Sequence, residues 1–172
     1  MMKLFGLTGG AGSEKTALLV AVVPELTALG LSVSVTKFMN HAFDIDRPGK
    51  DSFLHREAGA TEVLVLSRHR WALMHESRGE QADNLPELLA RMSPVDLVIA
   101  LGFHDHPHAK LEIVSESDAD PRWRTDPSIV ALVSHDPLDT ASMLEPSPLC
   151  LTFDDAPEIA RLITERAEPA IA

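Results

Sequence analysis

One cysteine is all this chain carries: Cys150, set in the apolar run Leu149-Cys150-Leu151. An internal disulfide and a Cys-x-x-Cys metal knuckle are both excluded, and a buried structural thiol is the plain expectation. No apolar run approaches the ~18 residues of a membrane span. The start, Met1-Met2-Lys3-Leu4-Phe5-Gly6, lacks a signal peptide's long apolar core. A cytoplasmic protein without a membrane partner is therefore expected. Positive charge is scarce as well: 15 Lys plus Arg stand against 26 Asp plus Glu, a formal net charge of −11. With no basic run or aromatic-interleaved stripe to offset it, polymeric nucleic acid is not expected as a partner. A free nucleotide is compatible with that charge, because a local nest of backbone N–H groups binds phosphate.

What is present suits one globular unit. The 172 residues are 45% apolar and 24% charged, enough to bury a core, and a single domain over residues 1–172 is expected. Lys3 to Thr8 reads as a short buried strand, followed by glycines and a helix from Lys15 to Leu29 that stops at Gly30. Ser32 to Lys37 alternates and is β-branched, giving a second strand and a βαβ crossover. Met39 to Asp51 is a long polar loop, Ser52 to Ala58 a short helix, and Glu62 to Ser67 and Trp71 to His75 are strands around a turn at Arg68-His69-Arg70. Asn84 with Glu87 has capping-box spacing for a helix through Met92. Leu97 to Phe103 is a continuous apolar run, as in a parallel strand covered on both faces. Lys110 to Val114, Ile129 to Ser134 and Leu149 to Phe153 complete the strands, and Asp155 caps a helix from about Pro157 to Glu165. The fold class is α/β: a P-loop NTPase-like, mainly parallel sheet flanked by helices.

Between the first strand and first helix, Gly9-Gly10-Ala11-Gly12-Ser13-Glu14-Lys15-Thr16 matches G-x-x-x-x-G-K-[ST] at every fixed position but one. In that motif the loop's N–H groups wrap phosphates, the lysine reaches the terminal ones and the hydroxyl binds Mg²⁺. The binding set is Gly9 through Thr16 with Ala17. Lys15 would contact phosphate, and Thr16 would hold the metal. Glu14 stands where the motif has its final glycine. A carboxylate about 5 Å from a phosphate costs about 3 kcal/mol per unit charge at an effective dielectric near 20. The plain alternative is a strand-to-helix turn in which Glu14 merely complements the helix dipole. An acid at the end of a buried strand usually organises Mg²⁺ and water in such hydrolases, yet the run Ala100-Leu101-Gly102-Phe103 has none.

These residues resemble the molybdopterin-guanine dinucleotide biosynthesis protein B (MobB) family, P-loop GTP-binding proteins of molybdenum cofactor maturation. The resemblance rests on the P-loop, on Phe43 to Ser52 (FDIDRPGKDS), on His55-Arg56-Glu57-Ala58-Gly59-Ala60, on Trp71-Ala72-Leu73-Met74, and on Asp96-Leu97-Val98 through Gly102-Phe103. It covers about residues 3 to 135. It implies a homodimer that binds GTP and Mg²⁺ and assists a molybdopterin guanylyltransferase (MobA-like) or molybdoenzyme maturation factors. The chain departs from the family at Glu14, at Leu101 where an acid is usual, at His104 where a lysine is usual, and after Lys37, where only His41 remains of a histidine-rich stretch. Those departures imply at most weak GTP hydrolysis. A pseudo-GTPase that binds or assembles without turnover is the alternative, and a small-molecule kinase is disfavoured for want of a catalytic acid.

Other constellations are weaker. Asp44 and Asp46 are candidate Mg²⁺ ligands on the long loop, against the plain alternative of a solvated acidic loop. His104, His106 and His108 alternate as a metal site would need, but Pro107 and Asp105 favour an exposed loop, and no structural metal is expected there. His41, His55, His69, His75 and His135 have no role beyond local hydrogen bonding. No catalytic residue and no base-reading N-K-x-D motif is identifiable.

Overall fold

The computed structural model describes residues 1–39, 43–78, 84–115, 120–138 and 148–170. The chain divides into two compact units, residues 39–88 and the remainder, with the division falling inside a helix, α3 below.

The larger unit holds β1 (Lys3–Gly9), α1 (Gly12–Ala28), β2 (Val33–Lys37), β5 (Leu97–Leu101), β6 (Lys110–Ile113), β7 (Ile129–Ser134), β8 (Leu149–Thr152), α4 (Ala156–Arg166) and β9 (Glu168–Pro169). The smaller holds α2 (Asp51–Glu57), β3 (Glu62–Leu66) and β4 (Trp71–His75); α3 is Leu85–Arg91. The strands of the larger unit form one sheet in the order β2-β5-β1-β6-β7-β8, every neighbouring pair parallel. β5 is inserted between β1 and β2, so it is buried throughout and reads in sequence as an unbroken apolar run. The two-residue β9 pairs antiparallel with the start of β1, through Leu4 and Glu168. That pairing was not expected of the short end after Ala167.

α1 and α4 cover one face of the sheet: Leu18, Leu19, Val22 and Leu26 meet Ile159, Ala160, Leu162 and Ile163 over Phe5, Leu7 and Ile99. The apolar residues of both helices recur at three-to-four spacing, which is what places them on one stripe. Helix α1 starts at Gly12, three residues before the sequence expectation, because the glycine loop itself winds into the first turn. Asp155 sits at the cap of α4, but its carboxylate does not bond forward into the helix. It turns back and accepts from the Thr152 N–H and hydroxyl at 2.7 and 2.8 Å.

In the smaller unit, β3 and β4 form their own antiparallel hairpin, with Leu66 opposite Trp71 and Ser67 N donating to Arg70 O. Half of the capping box expected at α3 is formed: Glu87 N donates to Asn84 Oδ1, while Glu87 Oε1 accepts from the Asn84 side-chain amide instead of its backbone N–H. Among the described residues no helix is long and apolar enough to cross a membrane. Cys150 is half-buried rather than buried, and desolvation pushes its thiol above the ordinary range.

Candidate phosphate-binding site

The glycine loop lies at the carboxyl end of β1, the edge at which parallel sheets bind ligands. Gly9 and Gly10 have φ of +69° and +52°, and a side chain on either would collide with Ile113 at the end of β6. Both the left-handed backbone and the close approach require glycine. Gly12 does not: a side chain there would meet open space.

Ala11 is extended and precedes the first turn of α1, so the loop's N–H groups and the positive end of the helix converge. They hold an anion already. Glu14 Oε2 accepts from Ala11 N at 2.5 Å, and Glu14 Oε1 lies 3.4 Å from His135 Nε2. The carboxylate at the glycine position therefore folds back over the loop instead of pointing into solvent. Lys15 Nζ donates to Gly9 O and Gly10 O at 2.6 and 2.8 Å, and Thr16 Oγ1 donates to Gly12 O at 2.9 Å. Burial lowers the Lys15 pKa, Glu14 opposes that shift, and Lys37 at the end of β2 adds to it. Ser13 on the first turn and Ala17 on the second are exposed.

At the end of β5, Leu101 is 6% exposed and belongs to the core, and Gly102 at φ +84° brings its backbone against Phe38 O. Apolar packing thus fills the place where the sequence lacked an acid. At the end of β7, His135 stacks on Phe153 with ring centroids 4.2 Å apart and planes 6° from parallel. Sequence reasoning gave His135 no role. Its position immediately after the apolar run of β7, at the ligand-binding edge of the sheet, was the available signal.

Asp44 and Asp46 lie together in the smaller unit, on Arg56. Arg56 Nη2 is 2.7 Å from Asp44, Nε is 3.4 Å from Asp46, and Nη1 is 2.5 Å from Glu76. Asp46 Oδ1 also accepts from Ser52 Oγ, and Asp44 Oδ1 from the Asp46 N–H. The hydrogen bond from Arg56 is the largest influence holding the Asp44 carboxyl below its usual range. A cation at these carboxylates would compete with that guanidinium for them. Among the described residues no group of three or more His, Cys, Asp or Glu is disposed to hold a metal ion.

The histidine loop is less exposed than expected. His108 is 3% exposed, wedged against Gly6 on β1, and its Nδ1 lies 2.8 Å from His106 Nδ1. Burial, then the positive Lys110, pull the His108 pKa down to about 4. A cavity of about 650 Å³ lined by His104, His106, Lys110 and Asp126 lies beside this loop, at the start of β6, whereas the glycine loop touches its end.

The family model for molybdopterin guanine dinucleotide synthesis protein B matches residues 4–135. A molybdopterin-guanine dinucleotide biosynthesis adapter protein of Haemophilus influenzae is 34% identical over 161 residues, 93% of this chain and 86% of that one. The protein of that description from Escherichia coli is 39% identical over 113 residues, 64% of this chain, and the match spans only 65% of its length. A crystal structure of molybdopterin-guanine biosynthesis protein B superposes with a TM-score of 0.73 over 94% of this chain and 98% of its own, at 22% identity, and so speaks for the fold.

Proposed function

Since this chain belongs to the molybdopterin guanine dinucleotide synthesis protein B family, we propose that it is an accessory GTP-binding protein of molybdenum cofactor guanylylation. It would act in the cytoplasm, presenting nucleotide to a molybdopterin guanylyltransferase (MobA-like) or to molybdoenzyme maturation factors. The observation that carries this is the carboxylate seated on the Ala11 N–H. A side-chain anion already uses one of the donors, and the helix end, that phosphate would use, so the residues fit the group.

With GTP bound, the loop N–H groups and Lys15 hold the phosphates, which requires Lys15 to leave the Gly9 and Gly10 carbonyls and Glu14 to leave Ala11. Mg²⁺ would meet Thr16 Oγ1 and arrive with the phosphates, its chemistry being to neutralise their charge. Leu101 offers no carboxylate to orient water, so turnover is slow at most. Calorimetric titration of GTP, ATP and the guanylylated pterin, with and without Mg²⁺, tests this: Mg²⁺-dependent binding of the guanine ligands supports it, and binding of none of them refutes it.

The second function, a pseudo-GTPase assembly module, is favoured by the same Glu14 contact together with Leu101. It differs in giving no Mg²⁺-dependent phosphate release from bound GTP. A homodimer fits either function. On the β3-β4 hairpin, Leu64, Leu66, Trp71 and Leu73 share one face by register and are exposed, Trp71 by 64%. A two-stranded sheet is marginal alone, and an apolar face of this kind suits a second copy of the chain.

A further inference from the structure

The phosphate cradle as described has one cation on the loop, Lys15, a second felt across the sheet edge, Lys37, and one resident anion, Glu14. It also has a neighbour that the loop motif does not include. His135 comes from the end of β7, and its Nε2 faces Glu14 Oε1 at 3.4 Å while the other carboxylate oxygen rests on Ala11 N. Any anion that takes over the Ala11 N–H therefore lies within a carboxylate's width of the imidazole. That distance selects the part of a nucleotide concerned. A group so close to the loop N–H donors meets phosphate, since the base lies beyond the ribose.

The ring is also held in place. Parallel stacking on Phe153, which follows β8, fixes its plane, while 66% of the side chain stays exposed and accessible to ligand. Two strand ends thus present one nitrogen to the cradle. Resting on the nucleotide-binding function proposed above, we propose that His135 is a phosphate-binding residue, and that Glu14 is the resident anion occupying its reach until a nucleotide polyphosphate displaces it. A hydrogen bond from Nε2–H to a phosphate oxygen replaces the contact with Glu14 Oε1, and the freed carboxylate passes to solvent. Because Glu14 has to be displaced, the cradle favours a polyphosphate that engages several loop N–H groups over a single orthophosphate.

With Glu14 present, removing the imidazole has two opposed effects, loosening the resident carboxylate and losing the phosphate contact, so little net change is expected. With Glu14 absent only the second effect remains. Calorimetric titration of GTP·Mg²⁺ into the full chain and into Glu14→Gly, His135→Ala, Glu14→Gly/His135→Ala and Glu14→Gly/His135→Phe separates them. In the Glu14→Gly background, both His135→Ala and His135→Phe are expected to weaken binding about 10-fold, the usual order for one charge-assisted hydrogen bond. His135→Phe keeps a ring on Phe153, so a loss there belongs to the nitrogen and not to the stack. Equal affinity with and without His135 in that background overturns the assignment while leaving nucleotide binding intact. Should even Glu14→Gly fail to bind GTP·Mg²⁺, the nucleotide function falls and the assignment with it. As a second readout, the His135 Hε1 resonance is expected to shift at saturation with GTP·Mg²⁺, and an unmoved resonance at saturation counts against it.

Discussion

Replacing Glu14 by glycine is the perturbation with the most direct consequence. Glu14 Oε2 takes the Ala11 N–H at 2.5 Å and the side chain is 31% exposed, so a nucleotide phosphate has to break a charge-assisted hydrogen bond before using that donor. Hydrogen bonds to charged groups contribute about 1.5–3 kcal/mol. The carboxylate, once displaced, remains near the phosphate and repels it, but water screens most of that term at this exposure. Counting the hydrogen bond and little else, Glu14→Gly raises GTP·Mg²⁺ affinity about 10- to 100-fold. The substitution also removes the carboxylate that caps α1, which costs about 1 kcal/mol of stability and lowers the melting temperature by about 2–4 °C for a chain of this length. The two effects have opposite signs, which is diagnostic. Glu14→Gln keeps a side chain able to accept from Ala11 N but not its charge, and its affinity is expected between the two. Titration calorimetry paired with thermal melts reads both quantities. If Glu14→Gly melts lower but binds no tighter, Glu14 is only a helix cap, and the carboxylate does not compete with phosphate.

Further outcomes follow from other groups. His108 has a folded pKa of about 4, below its unfolded value of 6.5, so the unfolded chain binds the proton more readily. Its contribution is present in full above about pH 6.5 and is lost as pH falls toward 4, by about 3 kcal/mol at most. Melts at pH 7.5 and 5 are expected to differ in the parent and to differ less in His108→Asn, and an unchanged difference rejects this origin. Arg56→Gln leaves Asp44, Asp46 and Glu76 without their shared guanidinium. Limited proteolysis is expected to cut residues 39–88 faster, with the remaining sheet unaffected; equal rates would remove Arg56 as the organiser of that unit. Trp71→Glu charges the exposed hairpin face and is expected to shift light scattering from twice toward once the 18.7 kDa chain mass. A parent already monomeric at micromolar concentration refutes the dimer.

The sheet was legible because its signals are local. The unbroken apolar run of β5 declared a strand buried on both faces, and the glycines before Lys15 declared the loop, since two of them have backbone only glycine adopts freely. Three things were not legible, for one reason: each depends on a partner in another element. β9 exists only because Leu4 lies beside Glu168, and two residues carry no periodicity. His108 looked exposed in a polar, proline-containing stretch, but Gly6 leaves a space on β1 that the imidazole fills. The pairing of Asp44 and Asp46 with Arg56 and Ser52 was not readable from the polar loop, because those partners lie on the following helix.

Glu14 and Leu101 depart from the motif in chemically different ways, and the difference decides which variant can restore which property. Glu14 is a contact over the mouth of the loop, held by one backbone donor and one neighbouring imidazole, so removing it opens the seat without disturbing the core. Leu101 is part of the core itself, with its carbonyl accepting from Phe38 N at 2.8 Å. A carboxylate placed there by Leu101→Glu must either stay buried and neutral or gain a cation. Lys37, the register partner of Leu101 at the end of β2, is one such cation, and Mg²⁺ brought in with GTP is a second. The expected outcome is therefore conditional: Leu101→Glu lowers the melting temperature without ligand, and GTP·Mg²⁺ recovers more of that loss than GTP alone does. Melts run in those three conditions read the difference directly. Equal recovery with and without Mg²⁺ would show that the end of β5 does not face the metal, and the absent acid would then carry no information about turnover.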